Sequence, residues 1–148
     1  MAASFDRRRA IKLGACACVA LIGALSLPAR AQNARTSGAQ GVAREWLKLV
    51  DENDAQASWA AAAPQFQRRM NVAAWQSALQ QARVPLGAVV RRTIVATDFA
   101  KTFPGAPEGD YALVQFESAF AKKSQAHETL TLELEPDRSW RVLGYLIR

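Results

Sequence analysis

The chain has 148 residues, with 19 lysines and arginines against 13 acidic side chains, and 50% hydrophobic residues beside 22% charged ones. That balance excludes a disordered chain and a polytopic membrane protein, and the length suits one small domain. Two cysteines and one histidine leave almost nothing for a zinc site, a disulfide framework or a histidine-based triad.

Residues 1–31 have the three zones of a secretory signal peptide. Arg7, Arg8, Arg9 and Lys12 form a basic start, and residues 13–27 carry no charge. That run is shorter than the roughly 20 residues a spanning helix needs, which disfavours a retained anchor. A lipoprotein signal at Cys16 is a further alternative, although little apolar sequence precedes it. Ala29 and Ala31 are the small residues a signal peptidase reads, so cleavage after Ala31 is expected, with the mature chain starting at Gln32. The Arg7-Arg8-Arg9 stretch suits the twin-arginine route as well as general secretion. The expected location is periplasmic or secreted, with no stable membrane span after cleavage.

Cleavage would leave 14 basic against 12 acidic side chains and remove Cys16 and Cys18. The surviving basic pairs Arg68-Arg69, Arg91-Arg92 and Lys122-Lys123 are scattered, which argues against nucleic acid as a partner.

Residues 32–40 are small and polar without periodicity and read as a flexible leader, followed by a single α+β domain over 41–148. Val42, Trp46, Leu49, Val50 and Asn53 place an apolar stripe on a helix over about 41–53. Asn53 or Asp54 can cap a second helix carrying Trp59, Ala62, Ala63, Phe66 and Met70, in which Pro64 forces a kink or a fresh start. Asn71 caps a third helix through Val72, Trp75, Leu79 and Ala82, ended by Val84-Pro85-Leu86-Gly87.

The period then changes to that of strands, over 89–99, 111–120, about 128–135 and 139–147. A Pro- and Gly-bearing loop separates the first two, and Glu135-Pro136-Asp137-Arg138 favours a type I turn between the last two. The expected architecture is three N-terminal helices packed on a curved four-stranded antiparallel sheet.

Trp46-Leu47 with Leu49-Val50-Asp51, Ser58-Trp59, Phe66, Trp75, Arg83-x-Pro85-Leu86-Gly87, Arg92, Pro104-Gly105-Ala106-Pro107-x-Gly109-x-Tyr111, Phe120-Ala121-Lys122-Lys123, Glu128-Thr129 and Trp140-Arg141-Val142-x-Gly144-Tyr145 form an ordered set. The set resembles an uncharacterised family of exported bacterial proteins, domain of unknown function 4019, over nearly the whole mature domain. The resemblance implies no activity. Asn53 stands where the resemblance leads one to expect Gly. The element order also resembles the cystatin-like and nuclear-transport-factor-like cones, which host isomerases, dehydratases, ligand carriers and dimerisation modules alike.

His127 has no obvious partner and reads as a solvated surface group. A cone-type isomerase wants a carboxylate deep in an apolar pocket. The strand carboxylates Asp98, Glu117 and Glu133 are available, but Glu117 and Glu133 share a face with Gln115, Thr131 and Arg141 that reads as a solvated ion-pair ladder. Arg92 alternates with Val90, Ile94 and Ala96 on the face expected to meet the helices, and a buried guanidinium requires a partner. A structural carboxylate, Glu45 or Asp51, is favoured over an anionic ligand entering beside Arg83. Arg83 and Arg92 are therefore the candidate ligand-binding residues.

The four tryptophans read as core rather than pocket lining. Asp51-Glu52-Asn53-Asp54 lacks the features of a calcium loop, and no nucleotide, phosphate or hydrolase motif is present. No catalytic residue, metal or cofactor is indicated. The reading is an exported envelope protein acting as a non-catalytic binding or interaction module, for an envelope protein, a small ligand or a second copy of itself. A homodimer would use a sheet face bearing Tyr111, Leu113 and Tyr145. The alternative is a small cone-fold enzyme or ligand carrier with a pocket near Arg92.

Overall fold

The computed structural model of the protein describes residues 29–148. Most of the expected signal peptide therefore lies outside the described residues, which begin at Ala29, three residues before the expected mature start at Gln32. Four α-helices, α1 (Ala29–Asp51), α2 (Ala55–Ala60), α3 (Pro64–Arg69) and α4 (Val72–Ala82), precede a 3-10 turn at Val84–Leu86. Four strands follow, β1 (Val89–Ala100), β2 (Tyr111–Phe120), β3 (Lys123–Leu134) and β4 (Trp140–Ile147), in one antiparallel sheet of order β1-β2-β3-β4. The chain is thus α+β, with helices and an open meander sheet around a shared core.

The helical half departs from expectation in two places. Residues 32–40 are not a separate leader but early turns of α1: Ala39 is fully buried and the Gln40 amide donates to Thr97 Oγ1 at 2.9 Å. Low apolar periodicity hid this segment, because it touches the sheet through only a few side chains. The expected second helix is two short ones, since Pro64 supplies a poor helix interior but a good first turn, and it opens α3.

The α1–α2 junction is a tight reversal. The Asn53 N–H donates to Val50 O and the Asp54 N–H to Leu49 O, a Schellman pattern that requires a left-handed residue, and Asn53 takes φ +58°. That is the backbone demand behind the expected Gly. Asp54 Oδ1 then accepts from the Ala57 N–H at 2.8 Å and caps α2. Asn71 caps α4 in the same way through the Ala74 N–H.

The sheet's inner face carries Ile94, Thr97 and Phe99 from β1, Ala112, Val114 and Phe116 from β2, Leu130 and Leu132 from β3, and Val142 and Tyr145 from β4. Register breaks at Ile94/Ala96 and Thr131/Leu132 shift the side-chain alternation, so inward positions change from even to odd along β1 and β4. Arg92 and Ile94 point inward as expected, while a further break between Val89 and Arg91 turns Val90 outward, 72% exposed, and Val95, at the Ile94/Ala96 break, faces solvent.

Trp46 and Trp75 sit 5.6 Å apart at the core centre, each 5% exposed or less. Ser58 orients both: its carbonyl accepts from Trp46 Nε1 at 2.8 Å and its hydroxyl oxygen from Trp75 Nε1 at 2.9 Å.

The β1–β2 loop folds over one end of the opposite sheet face. Beneath it Tyr111 is fully buried against Phe103, and its hydroxyl donates to Pro107 O at 2.6 Å. Tyr111 and Tyr145 therefore lie on opposite faces, and neither belongs to an exposed aromatic sheet surface. The Pro-Gly-Ala-Pro-x-Gly-x-Tyr signature is accordingly a clamp of loop onto strand. In the last hairpin the Arg138 N–H donates to Glu135 O at 2.8 Å, and Arg138 itself is left-handed at φ +66°, as in a type I turn followed by a bulge.

Candidate functional site

Where α1 ends above the sheet, two arginines and two carboxylates meet. The Schellman reversal fixes Asp51 in the last turn of α1, a position where a carboxylate is opposed by the helix dipole and needs compensating cations. Arg83, just past α4, donates to Asp51 Oδ1 through Nη2 at 2.9 Å and caps the following turn through Nη1 to Gly87 O at 2.6 Å. Its guanidinium stacks over the Phe120 ring at 4.4 Å.

Arg92 joins the helices to the sheet. Nη1 and Nη2 donate to Asp51 Oδ2 and Oδ1 at 2.7 and 3.0 Å, and Nε and Nη2 donate to Glu128 Oε2 and Oε1 at 2.6 and 3.1 Å. Both carboxylates are thus held in bidentate forks, the geometry that suits a guanidinium and not an ammonium. Glu128 is fully buried on β3. Its Oε2 also accepts from the Ser118 hydroxyl, and its Oε1 from the Tyr145 hydroxyl at 2.7 Å. Each oxygen of that carboxylate therefore has two donors, which is what a charge needs when no water reaches it.

Two guanidinium charges against two carboxylates make the cluster neutral. Burial works against the charged Arg92, but the hydrogen bonds and charges of Asp51 and Glu128 outweigh it and hold the guanidinium above its ordinary range. Burial, followed by the charge of Glu128, pushes the Tyr145 phenol well above its usual value.

Of the two partners expected for Arg92, the structure selects Asp51. Glu45 is exposed and pairs with Lys48 at 2.7 Å. Arg83 and Arg92 do come together, but both are occupied by the protein's own carboxylates.

Glu128 is the residue that sequence reasoning passed over. The signal was present, because it has the same parity as Leu130 and Leu132 on β3 and so had to point into the core. The strand's expected start at that residue placed it at an end instead of inside a 12-residue strand.

The other candidates do not form a site. His127 is exposed. Glu117 lies opposite Thr93 and His127, and among the described residues neither it nor Glu133 joins an ion-pair ladder. Arg141 is opposite Glu133 in register, yet its guanidinium turns to Asp137 at 3.5 Å. Ala29, Ala31 and Gln32 lie in the first turn of α1. No group of three or more histidine, cysteine or acidic side chains suited to a metal occurs among the described residues.

The hollow nearest the network, between α4 and the end of β4, has a volume of about 160 Å3 and is lined by Trp75, Leu79, Arg83 and Tyr145 among others. That is below the roughly 300–1,000 Å3 usual for small-molecule sites. Among the described residues no helix is long and apolar enough to cross a membrane.

Neither the curated proteins nor the solved structures returned a match. A family profile does match, over residues 42–145, and that stretch contains every member of the arginine–carboxylate network. Asp51, Arg83, Arg92, Glu128 and Tyr145, scattered through the ordered set of signatures in the sequence, thus converge on one point of the fold, and the chain belongs to the family described as "Protein of unknown function (DUF4019)".

Proposed function

We propose that this chain is an exported, non-catalytic binding or interaction module of the cell envelope, which uses its surface and keeps its interior closed. The observation that carries the reading is the saturation of Arg92: four hydrogen bonds to Asp51 and Glu128 occupy the guanidinium that an interior anionic ligand would need. An enzyme or carrier with its pocket at Arg92 has to break a neutral, fully bonded cluster before anything enters, a cost comparable to the domain's marginal stability.

Export rests on the basic start, the uncharged run over 13–27 and the small residues Ala29 and Ala31. The likeness of the element order to cystatin-like cones, a group that includes plain dimerisation modules, accords with a scaffold role. The proposed site of action is the periplasm of a Gram-negative cell, and the partner is an envelope protein, a small ligand or a second copy.

Native mass spectrometry of protein recovered from the periplasmic fraction of an expressing cell tests the reading. The expected species is a chain starting at Gln32 with no stoichiometric small molecule surviving buffer exchange. An unprocessed chain confined to the cytoplasm overturns export, and a stoichiometric co-purifying molecule lost on Arg92→Met overturns the closed interior.

A further inference from the structure

A cleft lies far from the arginine–carboxylate network, at the other end of α1. It measures about 580 Å3, within the range of small-molecule sites, and is walled by α1, the β1–β2 loop and the β3–β4 turn. Three cationic side chains from these separate elements line it, Arg35, Lys101 and Arg138, against one acid, Asp110. Leu134 and Trp140 supply an apolar floor.

The cations are arranged economically. Arg35 Nη2 at 2.8 Å and Lys101 Nζ at 2.7 Å both use the same oxygen, Asp110 Oδ1. The Arg35 guanidinium is further positioned by stacking over Phe99 at 4.3 Å, even though this leaves its buried Nε without a hydrogen-bond partner. Arg138 has no ion-pair partner among the described residues.

Arg138 also occupies the left-handed turn position at φ +66°, where glycine fits without steric cost and arginine does not. Folding alone gives no reason for a long cation at that point. The local balance of three cations to one carboxylate leaves an excess of two positive charges over an apolar floor.

We infer that this cleft binds a small organic anion, its charged group set between Arg35, Lys101 and Arg138 and its apolar body against Trp140. Ala31 leaves with the expected signal peptide, but Ala34, Arg35 and Gly38 stay in the mature chain; all three precede residue 42, so this wall lies outside the stretch matched by the family profile. The inference deepens the proposed surface-binding role by naming a ligand class. Its failure leaves the closed interior standing, because that is read from the native mass and the Arg92 variant.

The test is a two-dimensional amide NMR titration of the protein as recovered from cells, with phenyl phosphate as probe and inorganic phosphate and benzyl alcohol as controls. Phenyl phosphate should shift the Trp140 indole N–H and the Gly38 amide saturably, and bind about tenfold tighter than either control. Arg138→Gly should weaken binding about tenfold while leaving the thermal midpoint unchanged or raised, since it removes a cation and relieves the backbone. No saturable shift overturns the inference. Equal affinity for either control, or unchanged affinity in Arg138→Gly, does so as well.

Discussion

Replacing Arg92 with Met removes the side chain that ties the end of α1 to the sheet. Asp51 keeps Arg83 as a partner, so the principal orphan is Glu128, fully buried and left with only the hydroxyls of Ser118 and Tyr145. Removing one partner of a buried pair costs about 3–5 kcal/mol, because the remaining charge is desolvated without compensation. Against a total of about 5–15 kcal/mol for a domain, that is a large fraction. At roughly 3–5 °C per kcal/mol for this size, the melting temperature should fall by about 10–25 °C.

The assay is urea and thermal denaturation followed by circular dichroism. A cycle with Glu128→Met should show that the double variant is less destabilised than the two singles summed, by about 2 kcal/mol, since removing both charges leaves no orphaned ion. An Arg92→Met cost below about 1 kcal/mol, the size expected of an exposed ion pair, would refute the buried network. Strict additivity in the cycle would do the same for the pairing of Arg92 with Glu128.

Three further outcomes follow from local geometry. Asp110 is held below the ordinary carboxylate range by its hydrogen bond to Lys101, with the Lys101 and Arg35 charges contributing against a counteracting burial effect. Its contribution to stability is therefore present above the normal carboxylate pKa of about 4 and fades as pH falls below it, so the urea midpoints of wild type and Asp110→Asn should differ at neutral pH and converge in acid. The chain's two tyrosines, Tyr111 and Tyr145, are both raised chiefly by burial, so phenolate absorbance should stay low in the folded protein above pH ~10 and rise cooperatively with alkaline unfolding; gradual titration while folded would contradict it. Gly87 has φ +78°, and a Cβ there would stand 3.2 Å from the Ala121 Cβ, so Gly87→Ala should lower stability by about 1–3 kcal/mol in the same denaturation assay.

Much of the fold was legible because it is written in short-range terms. Asn71, Pro64 and the alternation over 111–120 each specify their element by local chemistry, and the structure follows them. Asn53, singled out as a departure from an expected Gly, proves to sit at a left-handed position that Gly would fill.

What escaped depended on distance along the chain. The parity changes in β1 and β4 arise from bulges that no single-strand pattern encodes, and a separate break between Val89 and Arg91 exposes Val90, which simple alternation groups with Arg92. The start of β3 at Lys123 follows from hairpin pairing with Phe120, not from local alternation, and Glu128 was misplaced with it. The site was half legible: alternation gave Arg92 an inward direction and a need for a carboxylate, while the second carboxylate came from another strand. The cationic cleft was invisible, since Arg35, Lys101 and Arg138 share no sequence motif and meet only because a loop and a turn close on the start of α1.

The claim that Arg92 is bound by the protein itself, and not reserved for a ligand, is tested most directly by the exchange of its Nε–H with solvent in nitrogen-15 NMR near neutral pH. An Nε–H whose nitrogen lies 2.6 Å from a carboxylate oxygen of zero exposure should remain visible, exchange far more slowly than exposed arginines, and stay unmoved when phenyl phosphate is added. Exchange as fast as that of an exposed arginine, or a shift on adding the anion, would show an open site at Arg92 and contradict the account.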